Sequence, residues 1–145
     1  MKSLLFGLAI ASIFIIGCSE GESPTADIER FEYNTLCGWC VGISFLVIEG
    51  NEVTFTEEMQ CTAQESITRE LSLSEIDALQ SALSAVDPNT IQLNECGECF
   101  DGCEEQLVFG ESGNLHRIIF NSRDYPQLDE LEELLEVVVE IKDSF

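Results

Sequence analysis

The chain has 145 residues, of which 28 are acidic, six are Lys or Arg and one is His, for a formal net charge of −22. One domain is the natural reading at this length, and an apolar share of 45% is too high for a disordered polyelectrolyte. The acidity excludes nucleic acid as a default partner, because phosphate binding needs a cationic footprint. Seven cysteines, an odd number, leave one outside any framework of paired disulfides.

The amino terminus explains the odd cysteine. Lys2 is a positive leader, and Leu4 to Ile16 is a 13-residue apolar run broken only by Gly7 and Ser12. A span of a ~30 Å hydrocarbon core needs about 20 residues, so the run has signal-peptide length instead. It ends in Ile15-Ile16-Gly17-Cys18 rather than in an A-x-A cleavage site. This sequence resembles the lipobox of bacterial lipoproteins. The resemblance implies cleavage before Cys18, a thioether-linked diacylglyceryl group on its sulfur and fatty acylation of the new amino terminus. It also implies a bacterial envelope location, with Ser19 after the lipidated residue favouring the outer membrane over the inner one where a cell has both. The resemblance covers residues 1–18. Residues 31–145 resemble no characterised family.

Removal of residues 1–17 as a signal peptide leaves a body of formal charge −23 and six cysteines: Cys37, Cys40, Cys61, Cys96, Cys99 and Cys103. An even number in an exported chain reads as disulfides. Residues 18–30 are polar, with Gly21 and Pro24, and read as a lipidated flexible tether. Residues 31–145 are then a single domain.

Within it, Trp39 to Ile48 is a near-continuous apolar run suited to a strand covered on both faces. Glu49 to Glu52 is a turn, and Val53 to Cys61 alternates as a half-buried strand should. With Gly50-Asn51 as a two-residue loop, Ile48 faces Val53, Leu46 faces Phe55 and Cys40 faces Cys61. That last pair falls at a non-hydrogen-bonded position, where Cα atoms approach to about 4.5 Å, so a Cys40–Cys61 disulfide is expected. Ser72-Leu73-Ser74-Glu75 is a capping box with Leu71 and Ile76 as a hydrophobic staple. The helix it opens has an apolar stripe of Ile76, Leu79, Ala82, Leu83 and Val86 and stops at Asp87-Pro88. A second hairpin joins Glu105–Phe109 to Leu115–Phe120 through the turn Gly110 to Asn114. Asp124 is expected to cap a second helix, with Pro126 in its first turn. Leu128, Leu131, Leu134, Leu135, Val138 and Ile141 form the buried face of that helix, and Asp129, Glu130, Glu132, Glu133, Glu136 and Glu140 its wet face. The loose repeat ββα-ββα predicts an α+β fold, an antiparallel sheet of about four strands with two helices on one face, stabilised by disulfides.

Several constellations invite a chemical reading. Cys37-Gly38-Trp39-Cys40 has the C-x-x-C spacing of a thiol–disulfide oxidoreductase, but it leads into a strand rather than a helix N-terminus that would lower a thiol pKa. Cys37 with Cys96, Cys99 and Cys103 has the count for a four-thiolate zinc site. The exported setting favours disulfides, in any of three connectivities, so no metal or cofactor is expected. Asp101 to Glu105 lacks the calcium-loop ladder of acids. His116, the lone His, faces Phe109 in the second hairpin and has no nucleophile motif beside it, so it reads as a partly buried strand residue. With 28 acids, carboxylate pairs are inevitable and no one pair points to glycoside chemistry. No catalytic set emerges. The leading expectation is a non-catalytic envelope binding or interaction module, held to the membrane by its lipid. The alternatives are an oxidoreductase using Cys37 and Cys40, and an acidic inhibitor that captures a basic cell-wall hydrolase electrostatically.

Overall fold

A computed structural model describes residues 29–38, 42–59, 62–63, 65–95, 102–110 and 114–145. Seven strands come in the order β1 (Phe31–Cys37), β2 (Ile43–Glu49), β3 (Glu52–Met59), β4 (Thr62–Ala63), β5 (Ile67–Glu70), β6 (Cys103–Phe109) and β7 (His116–Phe120). Helix α1 (Leu73–Ser84) lies between β5 and β6, and helix α2 (Glu132–Asp143) follows β7. The strands form one antiparallel sheet in the order β4-β3-β2-β1-β6-β7, with β5 also pairing β3.

The α+β class therefore stands, but four strands become seven and the ββα-ββα repeat gives way to five strands before α1 and two before α2. Three strands, β1, β4 and β5, are missing from the sequence reading; of these β1 sits at the centre of the sheet and joins the two hairpins. Its alternation, Phe31-Glu32-Tyr33-Asn34, stops at Thr35, too short a pattern to stand out. β5 is missed for another reason: it is four residues long, and Ile67 is left 53% exposed.

The β2–β3 register is the one the turn dictates. Glu49 pairs Glu52, Ile48 pairs Val53 and Leu46 pairs Phe55, with Gly50 at φ +61° supplying the left-handed turn residue. Cys40 and Cys61, and with them the expected bridge, lie outside the described residues, as do Cys96 and Cys99. Phe109 pairs His116 and Leu107 pairs Ile118, as the second hairpin requires.

Register places Phe31, Tyr33, Leu46, Ile48, Val53, Leu107, Ile118 and Phe120 on one sheet face. All are buried, and they share one core with Ile76, Leu79 and Ala82 of α1 and Leu134, Leu135, Val138 and Ile141 of α2. Leu128 and Leu131, just ahead of α2, complete it. Both helices thus cover the same face. Burying a large aliphatic side chain in such a core contributes on the order of 1.5–3 kcal/mol. The other face presents Glu32, Asn34, Thr54, Thr56, Glu104 and Gln106 from the middle strands.

Helix α1 starts as its sequence dictates. Ser72 Oγ accepts from the Glu75 amide, and the Glu75 carboxylate accepts from the Ser72 amide at 2.7 Å. Arg69 on β5 adds a forked contact to the same carboxylate at 2.6 and 3.1 Å. The Arg69 hydrogen bonds, helped by those from Ser72, hold the Glu75 carboxyl down at about 2, against the opposing effect of burial. Because the folded value lies below the ordinary 4.5, this stabilisation is present above that pH and is lost as pH falls toward about 2. The expected result is that Glu75→Gln lowers the urea midpoint at pH 7 and that the gap from the parent closes between pH 4.5 and 2.

Helix α2 starts differently from expectation. Residues Pro126–Leu131 form a 3-10 turn that runs directly into α2, with Tyr125 at its cap position and no capping side chain. Asp124 does not cap; its carboxylate accepts from Ser122 Oγ at 3.2 Å. Pro126 tolerates the first turn because it has no N–H to satisfy. The six acids of the wet face, Asp129 to Glu140, are all exposed as expected.

Candidate functional site

A cavity of about 660 Å³ opens at one end of the sheet. Its walls come from the start of β1, the last turn of α1, the 3-10 turn Pro88–Thr90 and the two ends of the β6–β7 hairpin. The floor is aromatic: Phe31 and Phe109 are cross-strand partners whose ring centroids lie 5.2 Å apart at 60°. Leu83 and Leu115 add apolar wall. The rim is polar but mostly uncharged, with Gln80, Asn89, Asn114 and His116, and with Glu29 and Arg30 at the mouth.

Local chemistry fixes much of this rim. Gly110, at φ +96°, closes the wall where a Cβ would meet the Asn114 carbonyl at 2.5 Å, so only glycine fits. Its amide donates to the Arg30 carbonyl at 3.2 Å, tying the hairpin to β1. The Arg30 guanidinium is committed to Glu32 at 2.8 Å, with Glu49 at 3.7 Å. Asn89 donates through its side-chain amide to Asp87 at 3.2 Å, which leaves its amide oxygen uncommitted among the described residues. His116 is partly buried, as expected for a strand His, and its Nε2 lies 3.1 Å from the Ile91 carbonyl oxygen.

The cavity contains a serine, a histidine and an acid, yet they do not form a relay. Ser84 Oγ donates back to the Ser81 carbonyl at 2.8 Å, and the His116 ring nitrogen is turned to Ile91. A nucleophile needs its base within hydrogen-bond reach. The cavity combines apolar side chains with amide and imidazole groups.

The segment Ile91–Glu95 lies along β7. The Ile119 amide donates to the Leu93 carbonyl at 3.0 Å, and the Glu95 amide donates to the Ile119 carbonyl at 2.9 Å. It covers a sheet edge that would otherwise offer unpaired backbone groups.

Of the six body cysteines, Cys37 and Cys103 fall among the described residues, and they are bonded to each other. They are cross-strand partners at the end of the β1–β6 ladder, with Cα atoms 4.0 Å apart. The sequence left three connectivities open, because the pairing depends on β1 lying next to β6. Cys37 is the last residue of β1, and its sulfur is held in the bond to Cys103. Among the described residues no group of three or more His, Cys, Asp or Glu could hold a metal ion, and no helix is long and apolar enough to cross a membrane. Cys18 and Trp39 lie outside the described residues.

A second polar cluster escaped the sequence reading. Tyr33, Glu105 and Arg123 come from β1, β6 and the segment after β7. Tyr33 donates to Glu105 Oε2 at 2.5 Å, and Arg123 forks onto both carboxylate oxygens of Glu105. Burial, then the adjacent Glu105 carboxylate, raise the Tyr33 phenol above its ordinary range, so it stays protonated. With so few basic residues in the chain, the positions of Arg123 and Lys142 were the available signal. No protein-family model matches the chain, and no curated protein matches it.

Proposed function

We propose that residues 31–145 are a non-catalytic binding module, displayed from a bacterial envelope membrane by lipidated Cys18 on the tether 18–30, in the outer membrane where the cell has one. The observation that carries the binding reading is the cavity at the end of the sheet, with an aromatic floor and an amide-rich rim. Amide side chains suit neighbouring hydroxyl groups, and an aromatic ring suits the C–H face of a pyranose. A neutral saccharide of the envelope is therefore the ligand class that fits best.

The test is a titration of the full chain in detergent with soluble envelope oligosaccharides, followed by isothermal calorimetry and by amide shifts of Gln80, Asn114 and His116. Ser84→Trp, placed on an exposed helix end at the cavity wall, should weaken binding by about tenfold or more while leaving the melting temperature nearly unchanged. Shifts elsewhere only, or binding indifferent to Ser84→Trp, would overturn the assignment.

A second reading, capture of a basic cell-wall hydrolase, is favoured by the six exposed acids on α2 and the turn before it. It differs in its result: the protein would slow a basic muramidase at low ionic strength, and salt would abolish the effect.

A further inference from the structure

Five of the six Lys and Arg lie among the described residues. Arg30, Arg69 and Arg123 are each paired with a carboxylate. Lys142 has no carboxylate partner among the described residues, although it is half-buried in a chain carrying 28 acids. On α2 the residues one turn back from it are Val138 and Val139, which supply no charge. Its ammonium instead donates to Thr35 Oγ1 at 3.3 Å and sits 5.5 Å above the centre of the Tyr33 ring. It lines a notch of about 320 Å³ between β1, β7 and the end of α2.

The other groups in the notch complete a donor-rich wall. Glu105 is the one acid lining it among the described residues, and both of its oxygens are already occupied by Arg123 and Tyr33. Thr35 accepts from Lys142 through its oxygen, so its hydroxyl hydrogen remains to donate. Asn121 accepts from the Tyr125 hydroxyl at 2.8 Å through its amide oxygen, so its NH2 remains to donate. Phe120 and Cys103 close the apolar side.

We propose that this notch is a binding site for a carboxylate group, with Lys142 as its counter-ion and Thr35 and Asn121 as its hydrogen-bond donors. Lys142, Arg123 and Glu105 together carry one net positive charge, which a monoanion neutralises. A dianionic phosphate would add uncompensated negative charge to a chain already at −22. The apolar side next to the cation suits the end of an acyl or peptidyl chain better than a bare inorganic ion.

The test uses the full chain, isotopically labelled in detergent, with N-acetylglycine as the probe and N-acetylglycinamide as its uncharged twin. N-acetylglycine should produce saturable amide shifts at Thr35, Asn121 and Lys142, and the amide should produce none. Lys142→Gln should weaken the response by about tenfold or more, as loss of a charge-assisted contact does. Lys142→Arg should retain binding, and Arg117→Gln, exposed on the opposite sheet face, should leave it unchanged. Equal shifts from the uncharged twin, or an unaltered titration in Lys142→Gln, would overturn the proposal. Should Lys142→Gln fail to fold, the comparison of the two probes on the parent chain decides it.

Discussion

Replacing Cys37 and Cys103 together by alanine should lower the unfolding free energy by about 4 kcal/mol, from the loss of chain-entropy restriction over a closed loop of this size. The sequence separation is 66 residues, and the loop encloses β2 to β5 and α1. Typical domains are stable by only about 5–15 kcal/mol, so the bond is a large share of the total. Urea unfolding of the double variant against the parent, without reductant, is the measurement. The midpoint should fall, and the slope should rise, because the unfolded chain expands once the loop is open. An unchanged midpoint would mean that the β1–β6 ladder holds this end of the sheet without the covalent tie.

Cys18→Ser should abolish incorporation of labelled palmitate and leave residues 1–17 attached to the chain. The argument is chemical: a hydroxyl cannot form the thioether, and cleavage at a lipobox follows lipid attachment. Mass spectrometry of the protein from the membrane fraction reads both effects at once. Retained label, or a parent-length product, would remove the proposed anchoring. Membrane association by itself is a poorer readout, since an uncleaved apolar segment also holds a chain to a bilayer.

The parts of the fold that were legible in the sequence are those set locally. Gly50-Asn51 fixes a two-residue turn, and from it the β2–β3 register follows residue by residue. Ser72 and Glu75 mark the start of α1 through contacts three residues apart. The apolar stripe from Leu128 to Ile141 is read off helical spacing, and each of its six residues is buried. What escaped depends on distant partners. β1 is central only because β2 and β6 both pair with it, and neither partner is visible from residues 31–37 themselves. The Cys37–Cys103 bond follows from that same pairing. Asp124 looked like a helix cap because it precedes Pro126, but the chain enters α2 through a 3-10 turn that needs no side-chain cap.

The candidate sites were less legible for the same reason. The cavity is assembled from five separated segments, each with an ordinary local sequence. Its floor needs Phe31 opposite Phe109, which is again the β1–β6 ladder. His116 was readable as a half-buried strand residue, but its Ile91 partner, 25 residues earlier, was not. Lys142 stands in the last turn of α2, where the dipole favours a cation; only the fold brings Thr35 and Tyr33 beneath it.

Glu29 and Arg30 stand at the mouth of the cavity, and they are also where the proposed tether meets the body. Twelve residues, from Ser19 to Arg30, reach at most about 40 Å when fully extended. Under the proposed anchoring the cavity is therefore confined to a thin shell above the lipid surface, with its opening beside the attachment point. A ligand fixed in the same layer is met at a high effective concentration, and one free in bulk solution gains nothing from the tether. An intrinsically weak site can then be well occupied by an envelope-bound glycan while remaining empty to the same glycan once it is shed.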